Sequence, residues 1–370
     1  MRVVTIRCPT RQSMSATTES TETPFASLPA FRAGFEVGLR RLLDAPTLGG
    51  FILVLANASF DAALYAAFKP ALRAMFERWC ERFDAGDPRA VEAAADDRAV
   101  FIRLRETGFA HLGITQWREI GPWRCQFNPL RAFRPPRMSR AVIHQLRRPF
   151  EDHAFHFNKT FLSPEIFWEG ELKGWPLRLL YNKYPFADLH GLLVPEPDAE
   201  RPQYLDATMV EMIFVLNAHL GEQLPGMGFG YNAYGAFASV NHLHFQHFIS
   251  GPGRYPIEHE GWVHQGGDHR YPLPVTVFDD PQAAWHHIEK LQRANRAFNL
   301  LVRPARLYVI ERALQGSYMH SAWTGGFAWA EVAGAVTVSD PARFASLDEA
   351  ALVGEFMRLA PPAPRVVAAP

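Results

Sequence analysis

The chain has 370 residues, 48% hydrophobic and 21% charged, an ordinary composition for a soluble globular protein with a sizeable buried core. Lysine plus arginine and aspartate plus glutamate balance at 38 each, so no basic excess points to nucleic acid. The three cysteines, Cys8, Cys80 and Cys125, are too few and too scattered for a disulfide framework or a cysteine metal site, and they fit a reducing cytoplasm.

No stretch is apolar for long enough to span a membrane, and no apolar leader follows the basic N-terminal residues. Residues 1–24 are rich in Ser, Thr and Glu and read as a disordered tail. Residues 25–124 form an N-terminal part packed on the core. Phe31, Phe35, Leu39 and Leu42 recur at helical spacing. Phe51 to Leu55 reads as a short buried strand. Pro70 suits the first turn of a helix carrying Leu72, Phe76, Trp79 and Phe83. Asp84 to Asp97 reads as a loop or surface helix.

Residues 125–270 hold the features that carry chemistry. Arg134-Pro-Pro-Arg137 is incompatible with regular structure. Glu165 to Trp175 reads as a turn between strands. Leu177–Tyr181 and Gly191–Val194 read as two strands around a turn at Lys183-Tyr-Pro185. A helix follows, with Met209, Ile213, Leu216 and Leu220 on one face and Asp206 as its N-cap. Gly226-Met-Gly228-Phe-Gly230-Tyr-Asn232-Ala-Tyr-Gly235 is a glycine-rich approach. It lacks the spacing and the strand-to-helix setting of a dinucleotide fingerprint. Its glycines allow close backbone approach to a ligand, and a phosphate cradle is the reading favoured beside histidines.

Phe237 to Ile249 alternates like a strand. Period two puts His242, His244 and Gln246 on one face and Leu243 and Phe245 on the other. Two imidazoles and an amide then meet in a small volume. Three readings compete: a neutral imidazole acting as nucleophile, which is preferred; a metal site, which needs a third ligand from elsewhere; and core packing. Ser239, a hydroxyl donor for a phosphate oxygen, falls on the opposite face unless a bulge intervenes. His190 and Lys159 alone read as ordinary structural or surface residues. His286 and His287 are helix neighbours that do not face one another. His259, His264 and His269 are too loosely spaced for a ligand set, and no metal or cofactor is expected.

Gly251 to Arg270 reads as a loop. Residues 271–358 complete the sheet: Tyr271–Phe278 as an edge strand, a helix marked by Trp285, Ile288 and Leu291, and late strands at Leu307–Ile310 and Trp329–Val338. Residues 359–370 read as a frayed tail. Helices and hairpin-like strand pairs without a βαβ rhythm predict an α+β fold with an antiparallel sheet.

Asn241-His-Leu-His-Phe-Gln246, preceded by Gly230-Tyr-Asn-Ala-Tyr-Gly-Ala-Phe-Ala-Ser239, closely resembles the active-site segment of the GDP-hexose phosphorylases. These include the GDP-L-galactose and GDP-D-glucose phosphorylases of the histidine-triad superfamily. Phe155-His-Phe-Asn-Lys159 is similar to that family's Phe-Asn-Phe-Thr-Lys stretch, with His156 and Asn158 departing from it. Leu180 to Pro195 is similar to a nucleoside-binding hairpin. Trp329-Ala-Glu-Val-Ala-Gly334 resembles the family's C-terminal part.

The resemblance implies a histidine-triad-like antiparallel sheet in two halves. It implies a nucleotidyltransferase that cleaves a nucleoside diphosphate sugar, GDP-hexose foremost, with inorganic phosphate. His244 would be the nucleophile and His242 its support. Gln246, Ser239 and backbone N–H groups near Gly235 would hold the non-bridging oxygens, Asn182 would face the ribose and Lys159 the phosphates, with Asn232 and His190 as further substrate-binding residues. Dinucleoside polyphosphate phosphorolysis, hexose-1-phosphate nucleotidyl transfer, non-enzymatic nucleotide binding and metal-dependent hydrolysis stand as alternatives. A cytoplasmic protein is expected, without nucleic-acid or membrane partners, and a homodimer is left open.

Overall fold

The computed structural model describes residues 24–44, 47–134, 141–250 and 255–361. The expected tails fall almost wholly on residues 1–23 and 362–370, outside the described residues, as does most of Arg134-Pro-Pro-Arg137. In chain order come helices α1 (Leu28–Asp44), α2 (Leu48–Phe60), α3 (Ala62–Asp84), α4 (Pro88–Val91) and α5 (Ala95–Thr107). Strands β1 (Gln116–Ile120) and β2 (Trp123–Phe127) lead to α6 (Pro129–Ala132) and to β3 (Ile166–Leu172), β4 (Trp175–Tyr181) and β5 (Gly191–Pro195). Next are α7 (Ala207–Gln223), β6 (Met227–Asn232), β7 (Phe245–Ile249), β8 (Val275–Phe278) and α8 (Pro281–Arg293). The chain continues with β9 (Ala297–Arg303), β10 (Arg306–Arg312), α9 (Trp329–Val332), β11 (Ala335–Val338), α10 (Pro341–Ser346) and α11 (Glu349–Leu359).

The predicted α+β class with an antiparallel sheet is what forms. Eight strands run in the order β3-β4-β5-β7-β6-β9-β10-β8, antiparallel at every pairing. A smaller sheet, β1-β2-β11, pairs β2 and β11 in parallel. The large sheet separates two cores. Phe245 and Ile249 of β7 face one that also holds Phe31, Phe51, Met209 and Ile288. Phe248 faces the other, with Trp123, Trp329, Val336 and Phe356. Among the described residues no helix is long and apolar enough to cross a membrane.

Several predicted elements have different bounds. Phe51–Leu55 lies in helix α2, not in a strand. An apolar run buried on all sides has no readable period, and the ends decide: Thr47 caps Gly50 N–H at 3.1 Å, and Asp61 opens α3 at Leu64 N–H, 2.8 Å. Pro70 sits inside α3 rather than in its first turn. Ile166–Leu172 is strand β3, so the predicted turn shrinks to Lys173-Gly174, both at positive φ (53° and 86°). Trp329–Val338 is not one strand. It is a helical turn, a glycine at φ 97°, and then β11. The Asp206 cap forms as expected, accepting from Met209 N–H at 2.9 Å, and β8 takes the edge place.

Candidate active site

The strand that would carry the histidines begins later than its alternation suggests. Only Phe245–Ile249 pairs in the sheet; Asn241 to His244 lie outside it. A side chain explains why. The buried Gln203 carboxamide accepts from His244 N–H (2.9 Å) and donates to His244 O (3.2 Å) and Asn232 O (2.8 Å). Arg201 O takes the N–H of Leu243 (2.8 Å), and Asn241 Oδ1 takes that of Gln203 (3.1 Å). Residues 201–203 thus serve the hydrogen bonds that a neighbouring strand would otherwise supply.

The alternation of faces nonetheless survives. Leu243 and Phe245 enter the first core. His244 packs on Phe157, ring centroids 5.0 Å apart. Phe157 clusters with Leu180, Val194 and Leu192. Leu180, Leu192 and Gln246 lie in register across β4, β5 and β7, hence on one face.

The protonation of these rings follows from their partners. His244 Nδ1 lies 2.8 Å from the carbonyl of His242. A carbonyl only accepts, so Nδ1 carries the proton and Nε2 keeps its lone pair. Burial pushes the His244 pKa down to about 4, partly offset by that hydrogen bond; the ring is neutral at pH 7. His242 Nδ1 accepts from Phe157 N–H at 3.1 Å, which puts its proton on Nε2. Burial, then His244, His156 and Arg178, lower its pKa to about 3. The contact that His242 makes with the His244 ring nitrogen is through its carbonyl. The ring itself is wedged among Phe150, His156 and Phe157.

Gln246 belongs to a second cluster on the same face. Its Oε1 accepts from Trp329 Nε1 (2.8 Å) and stands 3.1 Å from His190 Nε2. His190 Nδ1 accepts from Phe186 N–H (3.2 Å), so the His190 proton is on Nε2 and points at Gln246. His190 is fully buried. Burial first, then His247 and Arg131, push its pKa well below 6.5. Asn182 Nδ2 is 3.3 Å from the same nitrogen. That is a meeting of two donors, since Asn182 Oδ1 already takes Tyr184 N–H at 3.0 Å. The Arg131 guanidinium lies 4.8 Å over Phe186, whose ring is 4.3 Å from His190.

Other predicted residues are placed differently. Asn232 is buried with Oδ1 saturated by Asn299 Nδ2 (2.7 Å) and Trp329 N–H (2.8 Å), an internal brace rather than an open ligand. Gly235 (φ 97°) packs on Leu314, Leu146 and Ile143. Ser239 is exposed. Among the described residues no hydrogen bond or ring contact joins either to His244. Lys159 donates to Asp152 O (2.6 Å). No three of His, Cys, Asp and Glu among the described residues converge on a metal position. Gln203 had no sequence signal as a site residue, and Trp329 was visible only as part of an expected strand and of the resemblance to the family's C-terminal part.

Residues 123–248 match the family model of the GDPGP1-like, N-terminal domain. The GDPGP1-like segment carries Lys159, Asn182, His190, His242, His244 and Gln246; Trp329 comes from outside it. GDP-D-glucose phosphorylase 1 of Homo sapiens is 33% identical over 132 residues, 34% of this chain and 32% of that protein. The Danio rerio protein of the same name is 36% identical over 107 residues, 28% of this chain and 29% of that one. The matched stretches therefore span about a third of the curated relatives' length. The crystal structure of yeast Ap4A phosphorylase covers 72% of this chain and 94% of its own, at 16% identity and a TM-score of 0.48.

Proposed function

We propose that the chain is a nucleotidyltransferase of the phosphorylase type, acting on a nucleoside diphosphate sugar, GDP-hexose first, with inorganic phosphate as acceptor. The observation that carries this reading is the His244 ring: neutral, with its proton tied to the His242 carbonyl and a lone pair on Nε2.

Nε2 attacks the α-phosphorus. The bond from that phosphorus to the bridging oxygen breaks, and sugar 1-phosphate departs with the bridging oxygen and its electron pair. The imidazole becomes cationic, with Nδ1–H still on the carbonyl, so this hydrogen bond strengthens as charge develops. Inorganic phosphate then attacks the nucleotidyl-histidine, releasing nucleoside diphosphate and the free ring. Both leaving and attacking groups are phosphates and need little proton transfer. An amide at position 246 suits them, because it offers hydrogen bonds and no proton. The identity to GDP-D-glucose phosphorylases, with the match of residues 123–248 to the GDPGP1-like model, supports the choice of sugar nucleotide.

The test is to incubate the protein with GDP-glucose labelled in its α-phosphate, without inorganic phosphate. An alkali-stable, acid-labile label on the chain is expected, discharged as labelled GDP when phosphate is added. His244→Ala should lose both labelling and turnover. Full turnover in that variant, or no label on wild type during turnover, would sink the assignment.

A further inference from the structure

Gln246 can serve a phosphoryl group in two opposite ways, as an acceptor through Oε1 or as a donor through Nε2. Its surroundings leave one. Trp329 Nε1–H can only donate, and it reaches Oε1 at 2.8 Å. His190 holds its proton on Nε2 because Phe186 N–H occupies Nδ1, and it reaches the same oxygen at 3.1 Å. Both lone pairs of the carboxamide oxygen are taken. Flipping the amide would set its NH2 against two buried N–H groups and lose both bonds.

Trp329 is itself held firmly. Its indole lies flat over Gly230, where a Cβ would come 2.1 Å from Cδ2. It stacks on Phe248 with centroids 5.0 Å apart at 13°. Its backbone N–H ends on Asn232 Oδ1 at 2.8 Å. Trp329 and His190 are fully buried, whereas Gln246 is half-buried. The side of the amide away from them is its NH2.

We infer that Trp329 is a positioning residue: with His190 it locks the Gln246 carboxamide so that the two N–H donors, and never the carbonyl, face the transferring phosphoryl group. This deepens the reading of Gln246 as an oxygen-holding residue and rests on it. It also gives a role to a tryptophan that lies outside the matched segment and so links the C-terminal part to the site.

A double-mutant cycle on GDP-glucose phosphorolysis tests it. Trp329→Phe keeps the ring and removes the N–H. A roughly tenfold fall in kcat is expected with KM changed less than twofold, and Gln246→Ala/Trp329→Phe should be no slower than Gln246→Ala. Additive losses would overturn the inference. A second measurement needs no turnover and no Trp329 variant. Among the nine tryptophans of a 15N-tryptophan sample, one indole N–H should move upfield and exchange faster in Gln246→Ala. If no indole signal responds, the lock does not exist. If the indole responds while wild type turns over no sugar nucleotide, the lock stands and the proposed function fails.

Discussion

In the proposed reaction, what fits His244 to act as nucleophile is what surrounds one ring. A histidine with an ordinary pKa near 6.5 would be half-protonated, and so half-disabled as a nucleophile, at mildly acidic pH. Burial moves this one to about 4. Protonation disables the nucleophile only near that value, so kcat/KM, which reports the free enzyme, should stay flat from about pH 7 down to about pH 5 in short assays. A profile that falls with a midpoint near 6.5 would show that the ring is solvated and the site geometry wrong. At this scale the sequence was partly informative: of His-x-His-x-Gln only Gln246 lies in the sheet, and His244, outside it, packs on Phe157 of the cluster on the same face. Gln203 was unreadable. Its value lies in reaching the backbone of a residue 41 positions away, which no local pattern encodes.

The elements position the site through close backbone approach. Strands β5 and β7 meet at Gly191 and His247. A Cβ at Gly191 would sit 2.1 Å from His247 Nε2 and 2.6 Å from Leu180 O. The imidazole is packed and the carbonyl is a rung of the β4–β5 ladder, so neither has room to give. Gly191→Ala should therefore cost about 1–3 kcal/mol in overpacking and lower the melting temperature. It should also reduce turnover, since His190 and Gln246 flank the disturbed pair. An unchanged melting curve would mean that the strands are not so closely apposed. Strands β4 and β5 and helices α7 and α8 were legible because each combines a clear period with end signals. Helix α2 was not: a run of Phe-Ile-Leu-Val-Leu buried on every side is a strand or a helix with equal grace, and the capping side chains of Thr47 and Asp61 are what choose.

The whole molecule stores several neutral histidines. His190, His242, His244 and His247 are all buried, and burial is the leading cause of each lowered pKa: about 3 for His242 and His247, about 4 for His244, and well below 6.5 for His190. The unfolded chain binds these protons near pH 6.5 while the native state refuses them. The stabilisation is complete above pH 6.5. It is withdrawn as pH falls from there through the folded values near 3 to 4. The melting temperature should drop steeply between about pH 6.5 and 4. His247 makes the cleanest probe, because neither ring nitrogen has a hydrogen-bond partner among the described residues and its ring packs edge-on against Phe31. His247→Phe should retain more of its neutral-pH stability at pH 5 than wild type does. A parallel acid slope in the two proteins would exclude His247 from the linkage.

Local chemistry settles what depends on neighbours in the chain. Alternation chooses which side of β7 a residue takes, and aspartates choose where helices start. What depends on distant groups was settled only by folding. The glutamine that substitutes for a strand beside His244 and the indole that turns Gln246 into a donor arrive from positions 203 and 329. They meet because a large antiparallel sheet must bury both its faces, and covering the second face brings the Trp329 helix down onto Gly230.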